Sequence, residues 1–221
     1  MKRIFVFAVG LLLAGQAWAE SFTVGNLCYT TIGTNNEVSV KKGDTELSGA
    51  LEIPAEVEYG GVKYSVTKII DPYAFSDKNL TSVTIPNSIT VIGEYAFYGC
   101  LKLSSVNIPN SVTEIGNDAF DSCWELASMT IPNSVTKIGD RAFSSCGELT
   151  SITIPSSVTK IGKMAFGSCN KLTGITVVDD NTNYSSEGGI LFNKDKTKIM
   201  QYPGGKNVTS YTIPNSVKII E

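Results

Sequence analysis

The sequence predicts a repeat solenoid that is mainly β, with short 3₁₀ or helical turns between its extended segments. Three observations support this prediction: a 23-residue step along the middle of the chain, apolar positions that recur at each step, and an alternating apolar-polar segment in each unit. A fixed period between about 20 and 50 residues is typical of stacked architectures. Because the 221 residues are 42% hydrophobic and 18% charged, the chain is long and apolar enough for one sizeable core.

Files of identical residues, spaced 23 apart, define the repeat. The leucine file is Leu80, Leu103, Leu126, Leu149 and Leu172. The other files are Ile85-Pro86, Ile108-Pro109, Ile131-Pro132 and Ile154-Pro155; Ala96-Phe97, Ala119-Phe120, Ala142-Phe143 and Ala165-Phe166; and Cys100, Cys123, Cys146 and Cys169. Residues 126–148 show the type pattern, L-x-x-(V/M/I)-x-I-P-x-S-V-x-x-I-G-x-x-A-F-x-x-C-x-x. One unit cannot bury the eight apolar positions of this pattern, but stacked units bury them against one another.

The first segment of each unit is predicted to be a strand. In residues 149–154 apolar side chains alternate with Ser and Thr, the period of a half-buried strand, and Pro155 ends the segment because proline has no N–H for a sheet ladder. The second segment, residues 135–143, has helical spacing, but Gly139 interrupts it and it is too short for a stable helix. We expect an extended piece there, followed by a single helical or 3₁₀ turn around Ala-Phe.

The N-terminus has the features of a cleaved signal peptide. Lys2 and Arg3 precede an apolar run over residues 4–14, and residues 17–19 form a small-x-small cleavage site. A membrane-spanning helix is the alternative, but the run is about half of the roughly 20 residues that a bilayer requires. We therefore predict residues 1–19 to be a signal peptide that is cleaved after Ala19, which makes the protein secreted or displayed on the cell surface.

Residues 20–64 show no 23-residue step, although residues 37–40 and 57–64 alternate in polarity. Gly60-Gly61 lies between two alternating runs, which is typical of a β-hairpin. We expect residues 20–64 to form an N-terminal β cap, because a terminal repeat otherwise exposes its apolar face to water. A separate domain is the alternative interpretation.

The repeats extend over residues 65–177 and are then interrupted. Residues 178–208 are predicted to be a hairpin insertion, with residues 193–197 as a turn between two strands. The repeat pattern resumes in residues 209–221 and stops at Glu221, before its Ala-Phe turn. The final repeat is therefore partial: either the chain is a shortened product, or a partner or second copy covers the open end.

These units resemble the leucine-rich repeat, and more closely the BspA-like variety of bacterial surface proteins, whose 23-residue units end in Ala-Phe-x-x-Cys. Four full units over residues 80–171 carry the resemblance, and a partial unit with Val66, Ile69 or Ile70, and Ala74-Phe75 precedes them. The resemblance implies a leucine-rich-repeat solenoid that is curved, with a parallel sheet on its concave face. It also implies surface display or secretion, a role in adhesion or protein binding, and the same kind of interruption before the last repeat.

The composition argues against nucleic acid binding and catalysis. Without the two cations of the signal, 16 basic residues face 21 acidic ones, and no stretch concentrates Lys and Arg. The sequence has no histidine, the commonest general base, and no nucleophile elbow, phosphate-binding loop or dinucleotide fingerprint. We therefore predict a protein that is not an enzyme and uses no cofactor.

The cysteine file allows two interpretations. Equivalent positions in successive units lie about one strand spacing, roughly 5 Å, apart, which a disulfide tolerates. However, each cysteine shares its slot with Ala and Phe and is expected to point inward, where a thiol acts as a small buried hydrophobe. We expect reduced, structural cysteines, with Cys28 unassigned. Zinc binding is disfavoured because there is no histidine.

Asp179, Asn181 and Asn183 have the spacing of the start of a calcium loop. The sixth position of such a loop is Tyr184 rather than Gly, and the twelfth is Ile190 rather than a bidentate Glu. An ordinary turn rich in Asn and Asp is therefore the expected structure.

The outward side chains of the first segments form the candidate binding surface, which we name the polar row. Its residues are Ser82, Thr84, Ser105, Asn107, Ser128, Thr130, Ser151 and Thr153. Such a row offers many hydrogen bonds over a long area but few aromatic or arginine anchors, which suits an extended partner rather than a compact one. The alternative is that Ser and Thr are simply compatible with exposed strand positions.

The predicted function is binding to a host or matrix protein, or to a glycan, through the concave face and without a cofactor. Trp124 and Tyr98, which occupy variable positions outside the strands, are the best single candidates for a further contact. The alternative function is a passive structural spacer, or a truncated fragment of a larger surface protein.

Overall fold

The computed structural model describes residues 19–77 and 79–221, which form a β-solenoid of about 7 turns. We call each turn of the solenoid a coil. The predicted signal peptide lies outside these residues apart from Ala19, so the signal and its cleavage remain predictions. The described residues contain 18 strands and no helix, and hence no helix long and apolar enough to cross a membrane.

The strands follow one another in three groups along the chain. Those before the first full repeat are β1 Ser21–Val24, β2 Leu27–Ile32, β3 Glu37–Lys42, β4 Gly49–Glu52, β5 Glu56–Tyr59 and β6 Val62–Ile69. Those of the repeats are β7 Leu80–Thr84, β8 Val91–Ile92, β9 Ser105–Asn107, β10 Glu114–Ile115, β11 Lys137–Ile138, β12 Ser151–Ile154, β13 Lys160–Ile161 and β14 Gly174–Val177. The last are β15 Tyr184–Glu187, β16 Ile190–Asn193, β17 Lys198–Gln201 and β18 Ile219–Ile220.

The most extensive sheet runs through the second segment of each repeat. It has nine strands, and its parallel part is β3-β6-β8-β10-β11-β13. Ile92, Ile115, Ile138 and Ile161 are paired from one coil to the next, and each is buried. The extended piece predicted there is thus confirmed, and it forms the longer parallel sheet of the solenoid.

The first segments form two shorter parallel sheets, β4-β7-β9 and β12-β14. The predicted strand is therefore confirmed in the coils that begin at Leu80, Leu103, Leu149 and Leu172. It is wrong for residues 126–131, which have no strand although their burial still alternates. The half-buried Met129 replaces the Val or Ile of the other coils here. Because an unbranched side chain favours the extended backbone less than Val or Ile does, the first segment of this coil forms no strand, although its second segment, β11, pairs with both neighbours.

The Ala-Phe corner has the single turn that the spacing predicts, closed by a hydrogen bond between residues three apart, and it does not continue into a helix. It consists of isolated turns, such as Tyr98 N–H to Tyr95 O and Cys100 N–H to Phe97 O. The residue before each Ala is left-handed, as at Tyr95 with φ 54°. Consecutive helical turns require right-handed residues, so this residue ends the succession. The N–H of Phe97 is then free to donate to Ala119 O of the next coil, at 2.8 Å.

The core is a series of files that run along the solenoid axis. The rings of Phe75, Phe97, Phe120, Phe143 and Phe166 stack, with centroids 5.4, 5.2, 5.4 and 5.8 Å apart and planes within 15° of parallel. All are at most 1% exposed. Identical side chains thus lie in register, as the 23-residue step predicts.

The cysteine file lies beside the phenylalanine file, and its thiols are free and buried. Each Sγ donates a hydrogen bond to a phenylalanine carbonyl of the preceding coil, as from Cys123 to Phe97 O at 3.3 Å and from Cys146 to Phe120 O at 3.4 Å. Burial, together with the neighbouring Cys100, raises the pKa of the Cys123 thiol well above its ordinary value. These thiols therefore tie one coil to the next.

An antiparallel meander, β1-β2-β3, precedes the first coils and joins the long sheet through the parallel pair β3-β6. Val38 and Val40 of β3 are fully buried. The hairpin predicted at Gly60-Gly61 is confirmed: it joins β5 to β6, and both glycines are left-handed, with φ 60° and 79°. Left-handed geometry at both central residues matches the twist of a two-residue hairpin.

The interruption after the repeats is a meander of three strands, β15-β16-β17, rather than a single hairpin. The turn predicted at residues 193–197 is confirmed, and a second turn at Gly188-Gly189 adds the extra strand. The parallel pair β17-β18 then places Ile219 beside Lys198. Ile219 and Ile220 of β18 are 56% and 60% exposed.

Candidate binding surface

The polar row is held in register by the parallel pairing of the first segments. Ser82 is paired with Ser105, and Thr84 with Asn107. Ser151 and Thr153 lie on β12, while Ser128 and Thr130 lie in residues 126–131, which have no strand. Ser82 is partly exposed and the other seven residues are exposed. Strand pairing thus aligns the predicted residues within two separate sheets, β7-β9 and β12-β14, and residues 126–131 lie between these sheets in the sequence.

The side chains of the polar row have no hydrogen-bond partner among the residues that the structure describes. Other files of the same residue types differ in this respect. The hydroxyls of Thr113, Thr136 and Thr159 each donate to a carbonyl of the preceding coil at 3.2 Å. Those of Ser134 and Ser157 do the same, at 2.6 and 2.8 Å. The donors and acceptors of the polar row are therefore unpaired within the described part of the chain, whereas the other hydroxyls link coils.

Two further residues extend the polar row beyond the sequence prediction. Thr176 is exposed and paired with Thr153, and Glu52 is exposed and paired with Thr84. Thr176 follows Leu172 at the same spacing as Thr153 follows Leu149, so the repeat pattern was sufficient to find it. Glu52 was missed because β4 lies outside the repeat and joins β7 through a register shift.

The polar row is neutral except for Glu52 at one end. Hydroxyl groups donate and accept hydrogen bonds, and the Asn107 amide does both, so the surface can match the alternating donors and acceptors of a peptide backbone or a sugar. The row contains no aromatic side chain to serve as an anchor. It therefore favours weak contacts repeated over a long surface.

A group of tyrosines lies on the left-handed corner of the early coils. Tyr73 and Tyr95 stack with centroids 4.7 Å apart, and Tyr98 packs edge-on against both. The negative charge of Asp118 raises the pKa of Tyr95 above its ordinary value. Asp118 itself accepts two hydrogen bonds from Arg141, at 2.7 and 2.9 Å. Tyr98 is thus part of a packed aromatic group, whereas the side chain of Trp124 is 59% exposed.

The Asn-Asp segment after the repeats has a structural role. The fully buried Asn181 donates to Pro155 O and Val158 O, and its Oδ1 accepts from the N–H groups of Asn183 and Tyr184. The oxygen that a calcium loop would use is therefore occupied by backbone N–H groups. Over the ranges that the structure describes, no group of three or more His, Cys, Asp or Glu could hold a metal ion.

The repeats match a known protein family. Residues 68–188 match the family described as BspA type Leucine rich repeat region, in six copies. The chain belongs to the BspA-type leucine-rich-repeat family. Members of such repeat families typically act as non-catalytic scaffolds for protein interaction. No protein with curated functional information shows significant similarity to this BspA-type chain.

Solved structures of bacterial proteins share the fold. A leucine-rich repeat protein from Bacteroides ovatus is 34% identical, with a TM-score of 0.62 over 70% of this chain and 40% of its own. The leucine-rich repeat protein of T. pallidum is 29% identical, with a TM-score of 0.63 over 71% of each chain. The pneumococcal vaccine antigen PcpA is 24% identical, with a TM-score of 0.71 over 91% of this chain. This BspA-type chain spans 60% of PcpA and 40% of the Bacteroides protein.

A fourth neighbour is described as a leucine rich cell surface protein from Faecalibacterium prausnitzii. It is 28% identical, with a TM-score of 0.54 over 90% of this BspA-type chain and 65% of its own. Surface proteins are therefore found among the structural relatives of the chain.

Proposed function

We propose that this BspA-type protein is exported, is secreted or displayed on the cell surface, and binds a host or matrix protein or a glycan through the polar row. We further propose that the row lies on the concave face and that binding requires no cofactor and no catalytic step. The family, the relative described as a cell surface protein and the signal features of residues 1–19 support this function.

The observation that carries the proposal is the difference between two kinds of hydroxyl in one coil. Thr136 donates its hydroxyl to the preceding coil, whereas Thr130, six residues earlier, is exposed and has no partner within the described part of the chain. Exposed polar groups on a rigid scaffold are preorganised, so a ligand that meets them loses little conformational freedom in the protein. Their regular spacing suits a partner that is itself extended.

Changing Thr130 and Thr153 together to glutamate is expected to weaken binding at least about tenfold and to leave folding intact, because two carboxylates replace neutral contacts at the centre of the face. Binding is measured by surface plasmon resonance against immobilised extracellular-matrix proteins and mucin glycans. Circular dichroism and thermal unfolding check the fold of the variant.

The matched control changes Asn133 and Ser156 to glutamate. Both are exposed and lie in turns after the Ile-Pro pair, so the control adds the same charge away from the row. We expect it to bind like the unmodified protein. Equal binding by the folded Thr130→Glu, Thr153→Glu variant contradicts the proposed surface. A soluble monomer that binds none of the probes supports a passive spacer instead.

A further inference from the structure

A groove with a volume of about 480 Å³ opens beside Trp124, at the corner where the coils enter their first segments. We name it the Trp124 groove. Its walls come from three successive coils and include Trp124, Gly147 and Asn170, which occupy the position after cysteine in their repeats. None of its residues belongs to the polar row, so it is a separate feature of the surface.

Gly147 keeps the groove open. A Cβ added there would meet only the carbonyl oxygen of Trp124, at 3.5 Å, so there is room for a side chain that the sequence does not supply. The neighbouring positions carry the bulky Trp124 and Asn170. The indole of Trp124 therefore borders a gap one coil wide and remains 59% exposed. An exposed tryptophan beside an empty position leaves a flat apolar surface uncovered, although burying it elsewhere would be favourable.

The rim of the groove is polar but has no net charge. Ser145 and Ser168 line it from equivalent left-handed positions, with φ 56° at each. Lys171 Nζ lies 2.6 Å from Glu148 Oε2, so the two charges of the rim are paired with each other. Together with the Asn170 amide, these groups provide neutral donors and acceptors around the aromatic surface.

We propose that the Trp124 groove binds a neutral sugar residue of a glycan. The face of an indole ring is electron-rich and attracts the partly positive C–H bonds that one face of a pyranose presents. The equatorial hydroxyls of the same sugar point outward from the edge of its ring, where the polar groups of the rim can form hydrogen bonds with them. The volume lies in the range of about 300–1,000 Å³ that is usual for small-ligand sites. A charged ligand gains nothing from a rim whose charges are already paired.

Trp124 is the only tryptophan in residues 19–77 and 79–221, which makes the site testable by fluorescence. The chain has two tryptophans, Trp18 and Trp124, so in a Trp18→Phe chain all indole emission comes from the groove. Cellohexaose, mannohexaose, chitohexaose and neutral mucin oligosaccharides serve as probes, and a heparin hexasaccharide serves as the charged comparison. We expect at least one neutral probe to shift the emission to shorter wavelength and to reduce quenching by acrylamide, with saturation.

A larger side chain at position 147, which fills the gap beside Trp124, tests the proposed site more directly than the emission change alone. Gly147→Leu keeps the Trp124 fluorophore but fills the space beside it. It is expected to weaken saccharide binding roughly tenfold or more, which corresponds to the free energy of one lost contact with an aromatic ring. Because a Cβ at Gly147 would meet no atom closer than 3.5 Å and the residue is not left-handed, the variant is expected to unfold at a temperature no lower than that of the unmodified protein. Trp124→Ala, followed by saturation-transfer NMR, is expected to lose the contact as well, and Tyr98→Ala is the matched aromatic control that retains it.

The outcome separates this site from the polar row. The Thr130→Glu, Thr153→Glu variant is expected to show the same saccharide-induced change in Trp124 emission as the unmodified chain, even where its total binding to mucin glycans is weakened. The proposal is overturned if no neutral saccharide changes the Trp124 emission, if only heparin does, or if Gly147→Leu binds as tightly as the unmodified chain. Loss of saccharide binding in the polar-row variant alone would place the sugar on the polar row instead.

Discussion

Replacing Phe120 with alanine is expected to lower the free energy of unfolding by about 3–5 kcal/mol. The ring of Phe120 is fully buried and stacks on Phe97 at 5.2 Å and on Phe143 at 5.4 Å. Its removal leaves a cavity that neither neighbour can fill, because each is held by its own coil. Urea unfolding followed by circular dichroism measures the loss, and Trp124 emission reports the same region.

The position of Phe120 in the repeat also predicts how the variant unfolds. Each coil contacts mainly its neighbours, so a cavity between coils weakens one interface rather than the whole stack. We expect the two sides of this interface to unfold separately, in a broader transition than that of the unmodified protein. Trp124→Ala, which removes a large but exposed side chain, is the control and is expected to change stability by less than about 0.5 kcal/mol. A loss below about 1 kcal/mol for Phe120→Ala would contradict the stacked file, given the cost of truncating a buried phenylalanine.

Replacing Gly139 with alanine is expected to destabilise the protein by about 3 kcal/mol, at the upper end of the cost of overpacking. A Cβ at this position would lie 2.5 Å from the backbone N of Asn117 and from the backbone C of Gly116. The coils cannot move apart to admit it, because Gly139 N–H donates to Ile115 O at 2.8 Å. Thermal and urea unfolding of the variant measure the effect.

Gly147→Ala is the matched control, since it adds the same methyl group to the same coil. There the nearest atom to the new Cβ is 3.5 Å away. Alanine at an unstrained glycine position restricts the unfolded chain, so this variant is expected to gain up to about 1 kcal/mol. The two substitutions are therefore expected to have opposite signs. Equal changes in the free energy of unfolding for Gly139→Ala and Gly147→Ala would contradict the idea that the close contact between coils at Gly139 excludes a side chain there.

Much of the fold was predictable because the repeat makes each local pattern occur several times. The 23-residue step predicted the stacked phenylalanines, and alternation predicted the strands of the first segments. The glycine pair at 60–61 predicted its hairpin, since two-residue turns require left-handed residues that glycine readily adopts. These features depend on neighbours in sequence or on the period itself.

The second segment and the corner were less predictable because their structure depends on the next coil. β11 has only two residues, Lys137 and Ile138, and it is a strand because it pairs with β10 and β13. The left-handed corner positions carry residues as different as Tyr95, Arg141 and Met164. No residue preference indicates that conformation, so the contact between coils imposes it. The glycine that looks like an interruption in sequence, Gly139, is where two coil backbones touch.

The sequence by itself determined the architecture: a period, an apolar set that one unit cannot bury, and the residues that end each segment. Only the tertiary structure decided which of its many hydroxyls remain available to a partner. Thr130 and Thr136 are the same residue type in the same coil; the first has no hydrogen-bond partner among the described residues, while the hydroxyl of the second donates to the carbonyl of Thr113. The physical reason is that a hydrogen bond between coils joins residues 23 positions apart, and its formation depends on the stacking rather than on the side chain.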